Sequence, residues 1–514
     1  MKPRTLALGI ALLMAASFGQ ADAAGACADD SAHSGGVHPG GEWRSLGGSL
    51  ENARNQPNED VINASTVANV GVAWTFDLAG LGTLQNTPVV ADGCVYLATS
   101  TGNVVALNAD EGGEPVWTTS LAGDPAGSLV GGVITGSPTV TGGTVYVAVS
   151  DGDDPKVFAL DQATGQVKWS VVVLDDAKRP DGDPSKSYGN TVVAAPVVWN
   201  GLLFQGIMAD EASSVARGGY AILDVAAGLA PEDRLIVQDW TITDDEYAAG
   251  YRGASIWCTA SVDQAGYVYA CGGNPASKQI EARNSNALLK IDMNPSRPAT
   301  FGTIVDTYKG DVDQFYPGLD RQPACDQVPT TVVWSPTCVQ LDLDFGASPS
   351  LFRDGIGRLM VGDLQKSGVY HAVYADTMSR AWTAQVGTPC VACNAASPAV
   401  DTTPSADGGQ VYTVATVPGQ VWALTKEHGR ARWVMADGVG GTHFQPVSTA
   451  NGVVYTMNNA GDLTAYDAAT GLPVLKRNLA QDVGAYAGDL SSQGVSIARN
   501  TIYAASASFV VAYR

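Results

Sequence analysis

The chain has 514 residues, of which 45% are hydrophobic and 16% are charged. Its 59 glycines amount to about 11%, against an average of about 7%, so turns are abundant and a helical bundle or coiled coil is excluded. The apolar content is too high for a disordered chain. The 29 Lys and Arg residues against 51 Asp and Glu give a net charge of −22, which excludes a nucleic-acid partner because phosphate binding needs a basic surface.

The first 23 residues have the pattern of a secretory signal peptide. Lys2 and Arg4 precede an apolar run over residues 5–18, and small residues at 21–23 provide a cleavage site before Ala24. An uncleaved membrane anchor is the alternative, but the apolar run is shorter than the ~20 residues that a membrane span needs. We therefore expect a signal peptide at 1–23, a flexible segment at 24–42, and a periplasmic or secreted protein with no transmembrane segment in its mature form.

Eight cysteines in an exported protein favour disulfides. They are Cys27, Cys94, Cys258, Cys271, Cys325, Cys338, Cys390 and Cys393. The groupings 325/338 and 390/393 favour two short-range bridges, although spacing does not fix the connectivity. As an alternative to a disulfide, the spacing of Cys390 and Cys393 is that of a metal-binding or redox-active pair. The two are not a haem attachment motif, because Asn394 follows them where that motif has a His.

Cys258 and Cys271 flank a predicted hairpin turn over residues 263–266, and each lies five residues from the nearer end of that turn. This symmetry predicts that the two cysteines face each other. The sequence leaves open whether they form a disulfide or two packed thiols.

A repeat organises most of the chain. Residues 104–117, 157–169, 421–433 and 463–471 share a pattern close to Ala-Leu-Asp-x-x-Thr-Gly that leads, in the first three copies, to a tryptophan. Upstream of the copies lie elements of the type Ser/Thr/Ala-Pro-x-Val followed by a short alternating apolar run. Tryptophan spacings of 51 and 52 residues, as between Trp117 and Trp169, are close to the length of a propeller blade with its loops.

The repeat predicts an all-β fold of eight units. We place them at 85–117, 135–169, 191–240, 254–308, 344–382, 395–433, 444–475 and 484–514. The last unit is short, and Trp74 in the segment 43–77 resembles the tryptophan of an outer strand. We therefore predict that this segment closes the ring, so that residues 43–514 form one eight-bladed β-propeller of four-stranded antiparallel blades.

This repeat resembles that of the pyrroloquinoline quinone (PQQ) dehydrogenases, the quinoprotein alcohol dehydrogenase-like propellers, over nearly all of the mature chain. Four non-repeated places carry the finer resemblance. They are residues 208–220 with Glu211 and Arg217, residues 253–257 with Trp257, residues 268–275 with Asn274, and residues 342–370 with Asp344 and Lys366.

The resemblance implies a role for each of these residues. Glu211, Asn274 and Asp344 would bind calcium, and Trp257 would be the surface on which PQQ stacks. Arg217 and Gln85 would also contact the cofactor. Asp344 would be the catalytic base, and Lys366 would lie beside the reactive carbonyls of the cofactor. The residue types suit this chemistry, because calcium prefers oxygen ligands and a base must be ionised.

Each residue also has an ordinary structural interpretation. Glu211 would then be a solvated loop carboxylate, Asn274 and Pro275 a turn pair, and Trp257 one more packing tryptophan. Asp344 and the neighbouring Asp342 would be turn residues, and Lys366 a surface charge.

The chain also departs from the family's pattern. It has no adjacent cysteine pair to cap the quinone, Gln85 stands where a Glu is usual at the cofactor, and Ala194 replaces a Ser. Gly346 stands where lanthanide-using members have a further Asp, which favours calcium. With no fused cytochrome domain, we expect a separate electron acceptor such as a cytochrome c.

Two functions remain at this stage. The first is an exported PQQ- and calcium-dependent dehydrogenase acting on a small alcohol, and the second is a non-catalytic PQQ-repeat propeller that serves as a protein-interaction or envelope-assembly scaffold. The five histidines are scattered along the chain and build no rival site.

Overall fold

Eight antiparallel β-sheets make up the described part of the chain. The computed structural model describes residues 27, 39–121, 133–150, 154–178, 189–210, 215–276, 281–311, 343–388, 395–402, 409–436, 445–486 and 494–514. Each sheet has four antiparallel strands that follow one another along the chain from the axis outwards, except that the eighth sheet takes its outer strand from residues 72–77. The third sheet has a short fifth strand, and the seventh has one that pairs in parallel. The predicted eight-bladed propeller is confirmed.

The strands of the first four blades follow one another along the chain. Blade 1 contains β3 (Val89–Ala91), β4 (Cys94–Ala98), β5 (Asn103–Asn108) and β6 (Gly112–Ser120); blade 2 contains β7 (Thr139–Thr141), β8 (Thr144–Val149), β9 (Lys156–Asp161) and β10 (Val167–Val172); blade 3 contains β11 (Asn190–Thr191), β12 (Val197–Trp199), β13 (Leu202–Ala209), β14 (Gly219–Asp224) and β15 (Leu235–Trp240); blade 4 contains β16 (Ser261–Val262), β17 (Tyr267–Gly272), β18 (Ala287–Asp292) and β19 (Ile304–Lys309).

The remaining blades include both ends of the described chain. Blade 5 contains β20 (Ser350–Arg353), β21 (Leu359–Leu364), β22 (Val369–Tyr374) and β23 (Ser379–Gln385); blade 6 contains β24 (Ala399–Val400), β25 (Gln410–Ala415), β26 (Gln420–Thr425) and β27 (Ala431–Ala436); blade 7 contains β28 (Ser448–Ala450), β29 (Val453–Met457), β30 (Asp462–Asp467), β31 (Pro473–Asn478) and the added β1 (Asn55–Gln56); blade 8 contains β32 (Val495–Ala498), β33 (Thr501–Ala505), β34 (Phe509–Tyr513) and β2 (Val72–Asp77).

Helices in the described residues are short. They are α1 (Asp244–Ala248), α2 (Leu479–Val483) and three 3-10 turns at Val67–Asn69, Asp176–Lys178 and Pro231–Asp233. No helix among the described residues is long and apolar enough to cross a membrane.

Closure of the ring follows the prediction from Trp74. Strand β2 pairs antiparallel with β34, so that a segment from the start of the propeller becomes the outer strand of blade 8. Its burial alternates, with Trp74 and Phe76 inside and their neighbours exposed. Strand β8, by contrast, is buried at all six positions because blades pack on both of its faces. The apolar core therefore lies between the blades.

The repeated Asp-x-x-Thr-Gly sequence forms the turn before the outer strand. In blade 2, Asp161 Oδ1 accepts hydrogen bonds from the Thr164 amide at 3.1 Å and its hydroxyl at 2.9 Å. Gly165 has φ +70°, and a Cβ there would lie 2.5 Å from the Trp117 ring of blade 1. The Trp117 indole N–H donates to the Gln162 carbonyl at 3.0 Å. The repeat tryptophan thus docks one blade on the next, as the sequence predicts.

An N-terminal arm, residues 39–56, runs along the inner strands at the propeller axis. Its backbone bonds to blade 1 through Trp43 and Val90 at 2.8 Å, and its carbonyl groups accept from inner-strand amides of blades 2, 4, 5, 6 and 7. The Gln56 side chain reaches the Ile497 carbonyl of blade 8. Arg54, 1% exposed, donates to the carbonyls of Leu46 and Val447, which ties the arm to itself and to the ring.

Candidate active site

An axial cavity of about 170 Å³ lies among residues that lead into the inner strands of the blades. Gln85 and Trp257 both border this cavity, and so does Leu46 of the N-terminal arm. The sequence gives no hint that the arm reaches the site, because nothing in residues 39–56 repeats or matches a motif. Gln85 is half-buried and lies on the side of blade 1.

Asp344 and Lys366 form a buried ion pair at blade 5. Lys366 Nζ lies 2.7 Å from Asp344 Oδ1, and their side chains are 9% and 2% exposed. The two backbones also meet, since the Lys366 amide donates to the Asp344 carbonyl at 3.0 Å. Charges are found so deep in a protein only when they are paired and hydrogen-bonded. The interpretation of Lys366 as a surface charge is therefore wrong.

Trp257 joins this pair from the side of blade 4. Its indole N–H donates to Asp344 Oδ2 at 3.2 Å, and Lys366 Nζ lies 4.9 Å from the centre of its ring. Each oxygen of the Asp344 carboxylate thus faces a different donor. We call these three side chains the axial cluster.

The Gly-Gly-Asn-Pro sequence places Asn274 next to the axial cluster. A Cβ on Gly273 would lie 3.1 Å from Trp257 Cδ1 and 3.2 Å from Asp344 Oδ2. The Gly273 amide donates to the Ser255 carbonyl, and the Asn274 carbonyl accepts from Ala254, so this loop is fixed to the segment that carries Trp257. Glycine at 273 lets the backbone pass close to the cluster, and Asn274 follows it, 4% exposed.

Arg217 lies apart from the axial cluster. Its guanidinium packs over the rings of Trp240 and Tyr247, at 4.9 and 4.6 Å, and pairs with Asp244 at 2.7 Å. Only its backbone approaches the site, through a bridge to Gly253. These contacts do not bring the Arg217 side chain to Trp257, so its assignment to the cofactor stays a prediction.

Some predicted positions lie outside the described residues. They are Glu211, Asp342 and the cysteines at 325, 338, 390 and 393. Of the segment predicted to be flexible at 24–42, the structure describes Cys27 and residues 39–42, which belong to the N-terminal arm. Cys27 is 1% exposed and forms a disulfide with Cys94 that the sequence analysis did not assign.

Cys258 and Cys271 form the second disulfide, with Cα atoms 6.0 Å apart. Their predicted pairing is confirmed, but the register behind it differs by one residue, because Val262 pairs with Val268 and Ser261 with Tyr269. Cys258 lies before the paired part of β16, where the chain leaves the ladder. Since Cys258 follows Trp257 and lines the axial cavity, the bridge supports the wall of the site.

The axial cluster fits a planar quinone and a hard cation by its chemistry. Trp257 offers an aromatic face, Lys366 offers a positive charge at that face, and Gly273 leaves the space beside them free of a side chain. Asp344 and Asn274 supply a charged and a neutral oxygen, the donors that calcium takes. Among the described residues, no three His, Cys, Asp or Glu side chains are grouped to hold a metal ion.

Known proteins resemble this chain in sequence. A 28% identity over 255 residues relates the chain to the quinohemoprotein alcohol dehydrogenase ADH IIB of Pseudomonas putida, covering 47% of this chain and 36% of that one. Polyvinylalcohol dehydrogenase of a Sphingopyxis species (strain 113P3) is 25% identical over 461 residues, 84% of this chain and 66% of its own. The matched part of the first relative is thus little more than a third of that protein.

Structural similarity extends further than sequence similarity. The quinohemoprotein alcohol dehydrogenase of Comamonas testosteroni superposes with a TM-score of 0.68 at 16% identity, over 96% of this chain and 84% of that one. A family model of the PQQ repeat, described as outer membrane protein assembly factor BamB, matches residues 58–294 and 329–513. Because this model covers most of the chain, the protein belongs to the PQQ-repeat family of β-propellers.

Proposed function

We propose that this protein is an exported quinoprotein dehydrogenase that oxidises an alcohol, using PQQ, a calcium ion and a separate electron acceptor. The observation that supports this most strongly is the axial cluster, in which the buried carboxylate of Asp344 meets the Trp257 indole and the Lys366 ammonium. A scaffold propeller has no need for a buried charge pair at its axis. The relatives named alcohol dehydrogenases point to the same reaction class.

Bound PQQ supplies the electron-accepting carbon for the hydride of the alcohol, and calcium supplies a Lewis acid for the adjoining carbonyl. The chain supplies the base. Asp344 takes the hydroxyl proton of the alcohol, so its carboxylate must be ionised before each turnover.

Lys366 has to serve two partners in this proposal. An ammonium group has three N–H donors; Lys366 Nζ forms an ion pair with Asp344 Oδ1 at 2.7 Å and still has N–H groups to offer a cofactor oxygen. Negative charge that develops on that oxygen is stabilised by the nearby cation. Trp257 holds the cofactor plane and keeps Asp344 oriented through its indole N–H.

The metal proposal rests on the charge of the donors. Asp344 and Glu211 are the proposed anionic ligands and Asn274 is neutral, a set suited to a divalent ion. Gly346, two residues after Asp344, lines the cavity without a side chain to offer a lanthanide. Calcium is favoured over magnesium because its larger shell accommodates a chelating cofactor together with carboxylates.

Reconstitution tests the proposal. Metal-free protein mixed with PQQ is titrated with calcium and, in parallel, with lanthanum, while quinone absorbance and dye-linked oxidation of a panel of alcohols are recorded. We expect saturable absorbance changes and turnover with calcium. Turnover with lanthanum alone would refute the choice of metal, and the absence of both PQQ binding and turnover would favour the scaffold function.

A further inference from the structure

A chain of polar side chains, two of them buried, joins blades 4 and 5 beside the axial cluster. The Tyr308 hydroxyl lies 3.0 Å from His371 Nδ1, and His371 Nε2 lies 3.0 Å from Gln365 Oε1. His371 is 2% exposed and Gln365 is fully buried. None of these three residues takes part in the proposed chemistry.

The amide of Gln365 has one orientation, because the backbone of Asp311 faces both of its ends. The Asp311 amide donates to Gln365 Oε1 at 3.0 Å, and Gln365 Nε2 donates to the Asp311 carbonyl at 2.8 Å. Gln365 Nε2 also donates to Asn286 Oδ1 at 2.9 Å. A flipped amide would set donor against donor and acceptor against acceptor.

This orientation fixes the tautomer of His371. Gln365 Oε1 is a carbonyl oxygen and can only accept, so His371 Nε2 carries the proton and donates to it. In the neutral ring, the Nδ1 atom is then a lone-pair acceptor for the Tyr308 hydroxyl. Burial lowers the pKa of His371 to about 4, which agrees with a neutral ring at ordinary pH.

The polar chain is connected to both members of the buried ion pair. Gln365 precedes Lys366, Phe345 follows Asp344, and the backbones of Gln365 and Phe345 form an isolated β-bridge. The His371 ring meets the Phe345 ring edge-on, with centres 5.3 Å apart. His371 thus contacts the neighbour of Asp344 by packing and the neighbour of Lys366 by a hydrogen bond.

We propose that His371 is a positioning residue that, as the neutral Nε2–H tautomer, holds the Phe345–Gln365 bridge and thereby the contact geometry of Asp344, Lys366 and Trp257. Its consequence for turnover rests on the proposed function, but the geometry itself does not. An imidazole suits this role because its two nitrogens bond in fixed opposite directions while its ring edge packs on an aromatic neighbour. A misplacement of about 1 Å at a reacting group can cost about 10²-fold in rate.

The first test uses the cofactor-free wild-type protein. Nitrogen-15 NMR of protein labelled at histidine is expected to show one ring with Nε2 protonated and Nδ1 free, assigned by its loss in His371→Phe. In protein labelled at tryptophan, the Trp257 indole signal, assigned with Trp257→Phe, is expected to shift in His371→Phe. An Nδ1–H or doubly protonated ring, or an unmoved Trp257 signal, would overturn the proposal.

The second test compares turnover after reconstitution with PQQ and calcium. His371→Phe keeps a ring but loses both hydrogen bonds, and we expect kcat to fall about 10- to 100-fold with KM for the alcohol changed less than about threefold. His371→Gln, which retains a donor for Gln365, should recover most of kcat. Equal losses in the two variants, or none in either, would refute positioning through this bond.

Two further variants keep the result interpretable. Tyr308→Phe removes a single hydroxyl and should shift the His371 ring signals even if His371→Phe does not fold. His428→Gln, at an exposed turn of blade 6, is the matched control and should change neither spectrum nor rate. If no variant and no wild type turns over, the dehydrogenase function has failed, while the two NMR signals still decide the positioning role.

Discussion

Trp433 and Trp257 both donate an indole N–H, but they do so in two different regions of the propeller. Trp433 donates to the Ala468 carbonyl at 2.9 Å and covers Gly471 of the next blade. We call the repeat tryptophans that bond to the next blade in this way the belt; they include Trp74, Trp117, Trp382 and Trp433. Trp257, in the axial cluster, donates to a buried carboxylate and faces a lysine ammonium. In the belt, the indole N–H satisfies a backbone carbonyl of the next blade, whereas in the axial cluster it orients the Asp344 carboxylate.

The energetic character of the two regions differs accordingly. Between blades, tryptophan and tyrosine rings bury apolar area, as where the Trp433 ring of blade 6 packs at 6.3 Å from the Tyr466 ring of blade 7. In the axial cluster, burial of Asp344 and Lys366 costs desolvation free energy, which the attraction between the two charges often fails to offset. The belt therefore contributes stability, whereas the proposed function supplies the reason for burying the two charges of the axial cluster.

The largest expected effect is on turnover, from Asp344→Asn. The amide keeps the shape of the side chain but cannot take a proton, so dye-linked alcohol oxidation should fall about 10²- to 10⁴-fold. PQQ absorbance in the reconstituted protein should remain. Asp376→Asn, at an exposed turn of blade 5, is the control. Undiminished turnover in Asp344→Asn would remove Asp344 from its role as base.

A belt residue should give the opposite result. Trp433→Ala removes a ring that is 8% exposed and should lower the free energy of unfolding by about 3–5 kcal/mol. Turnover of the remaining folded protein should be unchanged. Trp257→Ala, measured beside it by denaturant unfolding and PQQ titration, should lose cofactor affinity at a smaller cost in stability. Equal losses of stability and of PQQ affinity in the two variants would refute the distinction between belt and cluster.

The repeat made the fold predictable because local chemistry sets each blade. Asp161, Thr164 and Gly165 form the turn from within five consecutive positions, and the tryptophan that follows needs only a glycine on the next blade. Even closure by β2 followed from one tryptophan-bearing segment, since a propeller with a short last blade needs an outer strand.

The sequence predicted only those residues of the site that stand in a recognisable motif. Asp344, Trp257, Lys366 and Asn274 stand in matched motifs and come together, but their mutual bonds depend on register across two blades. His371 and Leu46 were missed because no local pattern marks them, and they reach the site from other elements. The one-residue register difference at Cys258 has the same origin, because a chain that leaves its ladder no longer follows strand symmetry.

Removal of either disulfide should have an effect of intermediate size. Removing Cys27–Cys94, which closes 67 residues, should cost about 4 kcal/mol of stability, and removing Cys258–Cys271, which closes 13, about 3 kcal/mol. The effects on PQQ affinity should be in the reverse order, because Cys258 adjoins Trp257. Paired Cys→Ala variants measured by denaturant unfolding and PQQ titration decide this. Stronger cofactor loss in the Cys27/Cys94 variant would contradict it.

The smallest effect concerns Asp363, a fully buried acid on β21 of blade 5. Burial raises its pKa well above the usual range, and its Oδ2 atom has no hydrogen-bond partner among the described residues. The folded protein therefore keeps a proton that the unfolded chain releases, so the contribution of this group to stability is full below the ordinary Asp pKa and is lost as pH rises toward the raised value.

Asp363→Asn abolishes this dependence while leaving an oxygen to accept the Leu364 amide, which Asp363 Oδ1 now does at 2.8 Å. We expect the variant to be more stable than wild type at pH 7 by at least about 1 kcal/mol, because wild type loses about 1.4 kcal/mol for each pH unit between the ordinary and the raised pKa of Asp363. Near pH 4 the two proteins should unfold at the same denaturant concentration. Asp376→Asn should show no such divergence, since its side chain is exposed. A variant that is less stable than wild type at pH 7 would contradict the assignment of a raised pKa to the buried Asp363 carboxyl.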